Sequence, residues 1–130
     1  MMLDYIIERT NKYIEDMPKK DRKKYGQFFT SKETACFMAE LYNIPENLSK
    51  IRILDAGAGS GILSCALLER LERMASVQTI ELTCYENDDN ILGLLRDNLH
   101  TYQANSKKDI QLILSQIIIL QASIWISIIC

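Results

Sequence analysis

Histidine, proline and paired cysteine are nearly missing from this chain, and each shortage excludes a class of protein. The only histidine is His100, and the four cysteines (Cys36, Cys65, Cys84 and Cys130) form no C-x-x-C pair. That removes a zinc cluster and a disulfide framework, and it points to a reducing compartment with the cytoplasm as default. The opening Met1-Met2-Leu3-Asp4-Tyr5 has no basic stretch leading into an apolar one, so no secretory signal is visible. The formal charge is −2, so the chain as a whole is no polyanion binder. Charge is absent altogether from Ile110 to Cys130. A run of that length is compatible with a membrane span. Gln111, Gln116, Gln121, Ser115, Ser123 and Ser127 interrupt it, however, and no aromatic belt flanks it. Buried strands at Ile110–Leu114 and Ile117–Leu120 are the better reading.

What is present is enough for one domain with a core: 130 residues, 48% of them apolar. Leu3, Ile6, Ile7, Tyr13, Ile14 and Met17 recur at helical spacing and predict an amphipathic helix over residues 2–17, ended by Pro18. Lys19-Lys20-Asp21-Arg22-Lys23-Lys24 reads either as a solvated linker or as a contact for a phosphate backbone. Residues 1–24 are therefore set apart from 25–130. Thr30-Ser31-Lys32-Glu33 fits a capping box with Thr30 at the N-cap, opening a helix through Ala35, Phe37, Met38, Leu41 and Tyr42.

Next comes Ile51-Arg52-Ile53-Leu54-Asp55-Ala56-Gly57-Ala58-Gly59-Ser60-Gly61, a β-favouring run, an acid and a turn with glycine at every second position. A helix over 60–75 follows, with Ile62, Leu63, Ala66, Leu67 and Leu71 toward a sheet and Glu69, Arg70, Glu72 and Arg73 toward water. Strand, glycine turn and helix open an α/β sheet whose ligands bind at the carboxyl ends of the strands. A dinucleotide fingerprint needs a glycine three residues after the second one, where Ile62 stands here. Asp55 would repel a pyrophosphate and suits a cationic or hydroxylated group. Thr79–Tyr85 alternates as a second strand ending in Glu86-Asn87-Asp88-Asp89, and an acid at that tip is placed to hold a ribose diol. A second helix runs from Ile91 to about Tyr102.

In that order the pieces resemble the amino-terminal part of adenine-N6 DNA methyltransferases of restriction–modification systems, those whose S-adenosylmethionine (SAM) motifs precede the catalytic motif. Gly26-Gln27-Phe28-Phe29-Thr30-Ser31 is similar to the family's G-x-F-[FY]-T-P segment, with Ser31 in place of proline. Asp55-Ala56-Gly57-Ala58-Gly59-Ser60-Gly61 matches the glycine motif, and Tyr85-Glu86-Asn87-Asp88 matches the second motif. The resemblance implies an incomplete Rossmann-like open sheet preceded by a helical segment. It implies SAM held by Phe28, Thr30, Asp55, Ala56, Gly57, Gly59, Gly61, Glu86 and Asn87, and DNA as partner of the full-length protein. The family's catalytic [DNS]-P-P-[YFW] is missing, since neither Pro18 nor Pro45 lies in such a pair, and no acid follows Ile110 to serve a third SAM motif. The expectation is a truncated or frameshifted fragment, catalytically inert alone and binding SAM weakly or not at all. An RNA or protein methyltransferase fragment, a non-catalytic module whose sheet a partner chain completes, and a membrane-anchored protein stay open as alternatives.

Overall fold

The computed structural model describes residues 1–26, 29–116 and 125–129, with side chains left aside at 24–26 and 125–129. Three strands, β1 (Lys50–Ala56), β2 (Thr79–Tyr85) and β3 (Asp109–Ser115), run parallel, and a fourth, β4 (Trp125–Ile129), completes the sheet in the order β3-β2-β1-β4. The helices are α1 (Met2–Glu15), α2 (Lys19–Gly26), α3 (Lys32–Leu41), α4 (Ile62–Glu72) and α5 (Asp89–Asn105). This is the open α/β sheet that the strand–turn–helix reading implies.

Alternation in the strands decides which face is dry. Ile51, Ile53 and Asp55 of β1 stand in register with Ile80, Leu82 and Cys84 of β2, and all six are buried. The opposite face carries Lys50 and Arg52, both paired to Glu81 across the β1–β2 ladder. The connections β1–α4–β2 and β2–α5–β3 are long enough to return parallel, whereas only residues 116–124 join β3 to β4. A parallel return needs a crossover of a dozen or more residues. β4 accordingly runs antiparallel to β1, with Trp125 opposite Ala56. The chain thus leaves β1 toward β2 and β3 and later comes back to its other side. That is a topological switch point at the carboxyl end of β1, the usual place for a ligand crevice. The expected strand at Ile117–Leu120 lies outside the described residues.

Helix α4 departs from the amphipathic reading. Ile62, Ser64, Cys65, Ala66, Leu67, Leu68 and Leu71 are all buried, because α4 lies on the sheet with one side and under α1 and α3 with the other. Glu69 and Arg70 do not face water as expected. Glu69 Oε1 accepts the Leu3 N–H at 2.8 Å, and Arg70 Nη1 donates to the carbonyls of Ala39 and Tyr42 at 2.7 and 2.6 Å. The N-terminal helix belongs to the same core: Leu3 and Ile6 are fully buried, and each such side chain contributes about 2 kcal/mol. Arg9 Nη1 reaches Thr101 of α5 at 3.4 Å.

Two local expectations are corrected. The basic stretch after α1 is the helix α2, not a linker: Pro18 opens it, its carbonyl accepting from the Asp21 and Arg22 amides. Proline is tolerated there because a first-turn N–H has no intrahelical partner to lose. The N-cap of α3 is Ser31 rather than Thr30. Ser31 Oγ accepts the Thr34 N–H at 3.2 Å, and the competing cap one residue earlier would have used the same kind of hydroxyl. Among the described residues no helix is long and apolar enough to cross a membrane.

Candidate functional site

At the carboxyl ends of β1 and β2 the chain must turn sharply, and three residues adopt left-handed backbone angles: Gly57 (φ 89°), Gly59 (φ 59°) and Gly61 (φ 90°). Their surroundings differ. A Cβ on Gly61 would lie 3.0 Å from Leu95 Cδ1 and 3.5 Å from Leu99 Cδ2, so this glycine seats the turn on α5. Among the described residues, a Cβ on Gly59 would meet the Phe29 ring alone, at 3.8 Å. Gly59 therefore leaves room in front of the turn, and Phe29 of the Gly26–Ser31 segment forms the facing wall.

The turn is tied down from several sides. The Gly57 and Ala58 amides both donate to the Tyr85 carbonyl, at 2.8 and 2.9 Å, and the Gly61 amide donates to Ala58. The Gly59 amide donates to Glu86 Oε1 at 2.9 Å, while Glu86 Oε2 accepts from the Asp88 amide at 3.0 Å. The acid at the tip of β2 is thus brought against the glycine turn, and each of its oxygens keeps a lone pair. The amides of Gly57, Ala58, Gly59 and Gly61 are all used within the protein. Asn87, next to Glu86, is exposed, and its carbonyl accepts from Gln116 Nε2 at 2.7 Å.

Asp55 sits beneath the turn, 3% exposed, and its Oδ2 accepts a hydrogen bond from the Ser64 hydroxyl. Burial pushes its carboxyl up to about 6; the Ser64 bond opposes this and the nearby Glu86 charge adds to it. Ser64 Oγ also lies 3.8 Å from Cys84 Sγ. A carboxylate so enclosed favours any cation that approaches, since the low dielectric leaves its field poorly screened. Ala56 closes β1 between Tyr85 and Trp125.

Thr30 and Ser31 line a groove of about 690 Å³ with Phe29, Ile62 and the α1 residues Asn11 and Ile14. Small-molecule sites usually measure about 300–1,000 Å³. The structure brings Gly59, Asp55 and Glu86 together at one end of the sheet, while Thr30 lines a groove that includes none of these three; Phe28 lies outside the described residues. Sequence reasoning missed Asn98 of α5. It is fully buried and its Nδ2 donates to the Ser60 carbonyl at 2.9 Å. A signal existed: Ile91, Leu94, Leu95, Asn98, Leu99 and Tyr102 form one helical stripe, and Asn98 is its only amide.

No family model matches the chain. Two curated relatives do. The type II methyltransferase M.BsuBI of Bacillus subtilis is 36% identical over 100 residues, which is 77% of this chain and 19% of that protein. The type II methyltransferase M.PstI of Providencia stuartii is 33% identical over 86 residues, 66% of this chain and 16% of that protein. The resemblance drawn from the three motifs is thereby matched over most of the chain, and the chain spans less than a fifth of either relative's length.

Proposed function

We infer that this chain, similar over most of its length to type II methyltransferases, holds the SAM-binding part of a DNA adenine-N6 methyltransferase of a restriction–modification system. The observation that carries the reading is the closure of the glycine turn on the second-strand acid, through the 2.9 Å bond from the Gly59 amide to Glu86. The bond places a carboxylate able to accept two ribose hydroxyls beside a backbone stripped of side chains.

The donor set fits SAM. Glu86 keeps acceptor capacity for the ribose diol, and Asp55 supplies negative charge under the turn for a cationic methionine end. Gly57 and Gly59 hold the turn in left-handed backbone angles, and no side chain at Gly59 stands between the backbone and the Phe29 wall. Thr30 and Asn11 border the adjoining groove. Residues 25–130 would form the cofactor unit, braced by α1. SAM, when bound, supplies an electrophilic methyl group; the residues here bind and orient it and add no acid or base to the transfer. The 130 residues contain no Asn-Pro-Pro-Tyr-type element to hold a flipped adenine, so by themselves they bind the donor without methylating DNA. DNA as acceptor is further supported by α2, whose Lys19, Lys20, Arg22 and Lys23 are all exposed.

Calorimetry of SAM against the purified chain tests the reading. Binding is expected for the wild type and lost in Asp55→Ala and Gly59→Val with the helical signal intact. Equal affinity in all three would overturn this assignment of the pocket. Tritium transfer from labelled SAM to unmethylated DNA by the chain alone would overturn the assignment of inertness.

A further inference from the structure

Two adjacent residues of the glycine turn are gripped from two directions. The Gly59 amide is bonded to Glu86 at the tip of β2, and the Ser60 carbonyl is bonded to Asn98 in the middle of α5. The same helix is fastened to Glu86 at its other end. Asp88 donates its amide to Glu86 Oε2 and caps α5 by accepting from the Asn90 and Ile91 amides at 3.0 and 3.3 Å. Ten residues of helix, about 15 Å at 1.5 Å per residue, separate Asp88 from Asn98. The hydrogen bonds therefore close a ring through Gly59, Glu86, Asp88, the body of α5, Asn98 and Ser60.

The surroundings of Asn98 show what it does. It is 0% exposed between Leu95 and Leu99, the two side chains that also receive Gly61. Its Nδ2 has the Ser60 carbonyl, yet its Oδ1 has no partner among the described residues, and Ser60 Oγ, equally buried, has none either. Core packing alone would favour leucine at this position of the stripe, since an amide with one unmade bond is costly to bury. The amide is explained by what it holds.

We propose that Asn98 is a positioning residue for the cofactor turn: its bond to the Ser60 carbonyl fixes the orientation of the Gly59–Ser60 peptide and thereby keeps the Gly59 amide on Glu86. Asn98 touches no ligand and acts through those two residues. The inference deepens the proposed SAM site and rests on it only for the affinity readout below.

The experiment compares wild type, Asn98→Ala, Asn98→Leu and, as a packing control on the same helix away from the turn, Leu94→Ala. Each is checked by denaturant titration so that measurements are made where it is more than about 90% folded. Hydrogen exchange of the Gly59 amide is read first, without ligand. Both Asn98 variants are expected to speed it by about tenfold or more relative to amides of β1, and Leu94→Ala is not. SAM affinity is read second, and Asn98→Leu is expected to weaken it by about tenfold with the Leu94→Ala value within about twofold of wild type. Leucine keeps the branched heavy-atom frame without the donor and alanine leaves space instead, so agreement between the two variants separates the lost bond from a change in packing. Unchanged Gly59 exchange in both Asn98 variants, or equal acceleration in Leu94→Ala, would overturn the proposal. Failure of the wild type to bind SAM would overturn the proposed function, while Gly59 exchange would still decide the role of Asn98.

Discussion

Gly59 and Gly61, two residues apart, should respond to the same substitution in opposite ways. Gly61→Ala puts an alanine at φ 90°, where an L residue costs about 1–2 kcal/mol. The new Cβ also meets Leu95 Cδ1 at 3.0 Å inside a packed core, and overpacking costs about 1–3 kcal/mol. Replacing glycine by alanine restricts the unfolded chain and returns about 0.4–1 kcal/mol. The balance is a loss of about 2–3 kcal/mol. Gly59→Ala starts from φ 59°, inside the left-handed well, with its Cβ at an ordinary 3.8 Å from Phe29. Its net cost is about 1 kcal/mol or less by the same arithmetic. Urea titration with an unchanged slope measures both. In SAM binding the order reverses, because the Gly59 Cβ would stand between the turn and the Phe29 wall, on the side proposed for the ligand, while the Gly61 Cβ points into α5. A Gly61→Ala variant within about 1 kcal/mol of wild type, or a Gly59→Ala variant as unstable as Gly61→Ala, would refute the division of labour.

The Asp55 carboxyl, pushed up from 3.8 to about 6 chiefly by burial, makes folding bind a proton. Below the unfolded value the group is neutral in both states; stability then falls as pH rises through about 6, by on the order of 3 kcal/mol at about 1.4 kcal/mol per pH unit. Asp55→Asn should flatten that decline in denaturation series between pH 4 and 7, and an unaltered slope would refute the assignment. Arg70→Met removes two charge-assisted bonds to the carbonyls of Ala39 and Tyr42 at the end of α3, which is expected to cost about 2–4 kcal/mol. Thermal unfolding within about 3 °C of wild type would contradict that. If α2 meets phosphate, Lys20→Gln with Lys23→Gln should lower the slope of log affinity for duplex DNA against log salt by about 1.8, with SAM affinity unchanged. An unchanged slope would return those lysines to the solvent.

The glycine turn, the two flanking strands and the second-strand acid were legible because their signals are local. Glycine at 57, 59 and 61 forces a bend, and alternation in Thr79–Tyr85 forces a one-faced strand. What eluded the sequence depends on packing at long range. The burial of α4 on two sides requires knowing that α1 and α3 cross it, and Arg70 looks solvent-bound until the end of α3 is placed over it. Ser31 and Thr30 compete for one cap with the same chemistry, and only the path of the backbone chooses. The direction of β4 follows from a connection too short for a crossover. Phe28 is not placed among the described residues, so that part of the motif rests on Phe29 and Thr30.

The N-terminal helix has its partners far along the chain. Leu3 waits for Glu69, and Arg9 for Thr101, 66 and 92 residues later. During synthesis at about 5–20 residues per second, α1 leaves the ribosome several seconds before α5 exists to receive it. Until α3 and α4 emerge, Leu3 and Ile6 have none of their native partners, and α5 joins them later still. The order in which this domain is made therefore runs against the order in which its core can close.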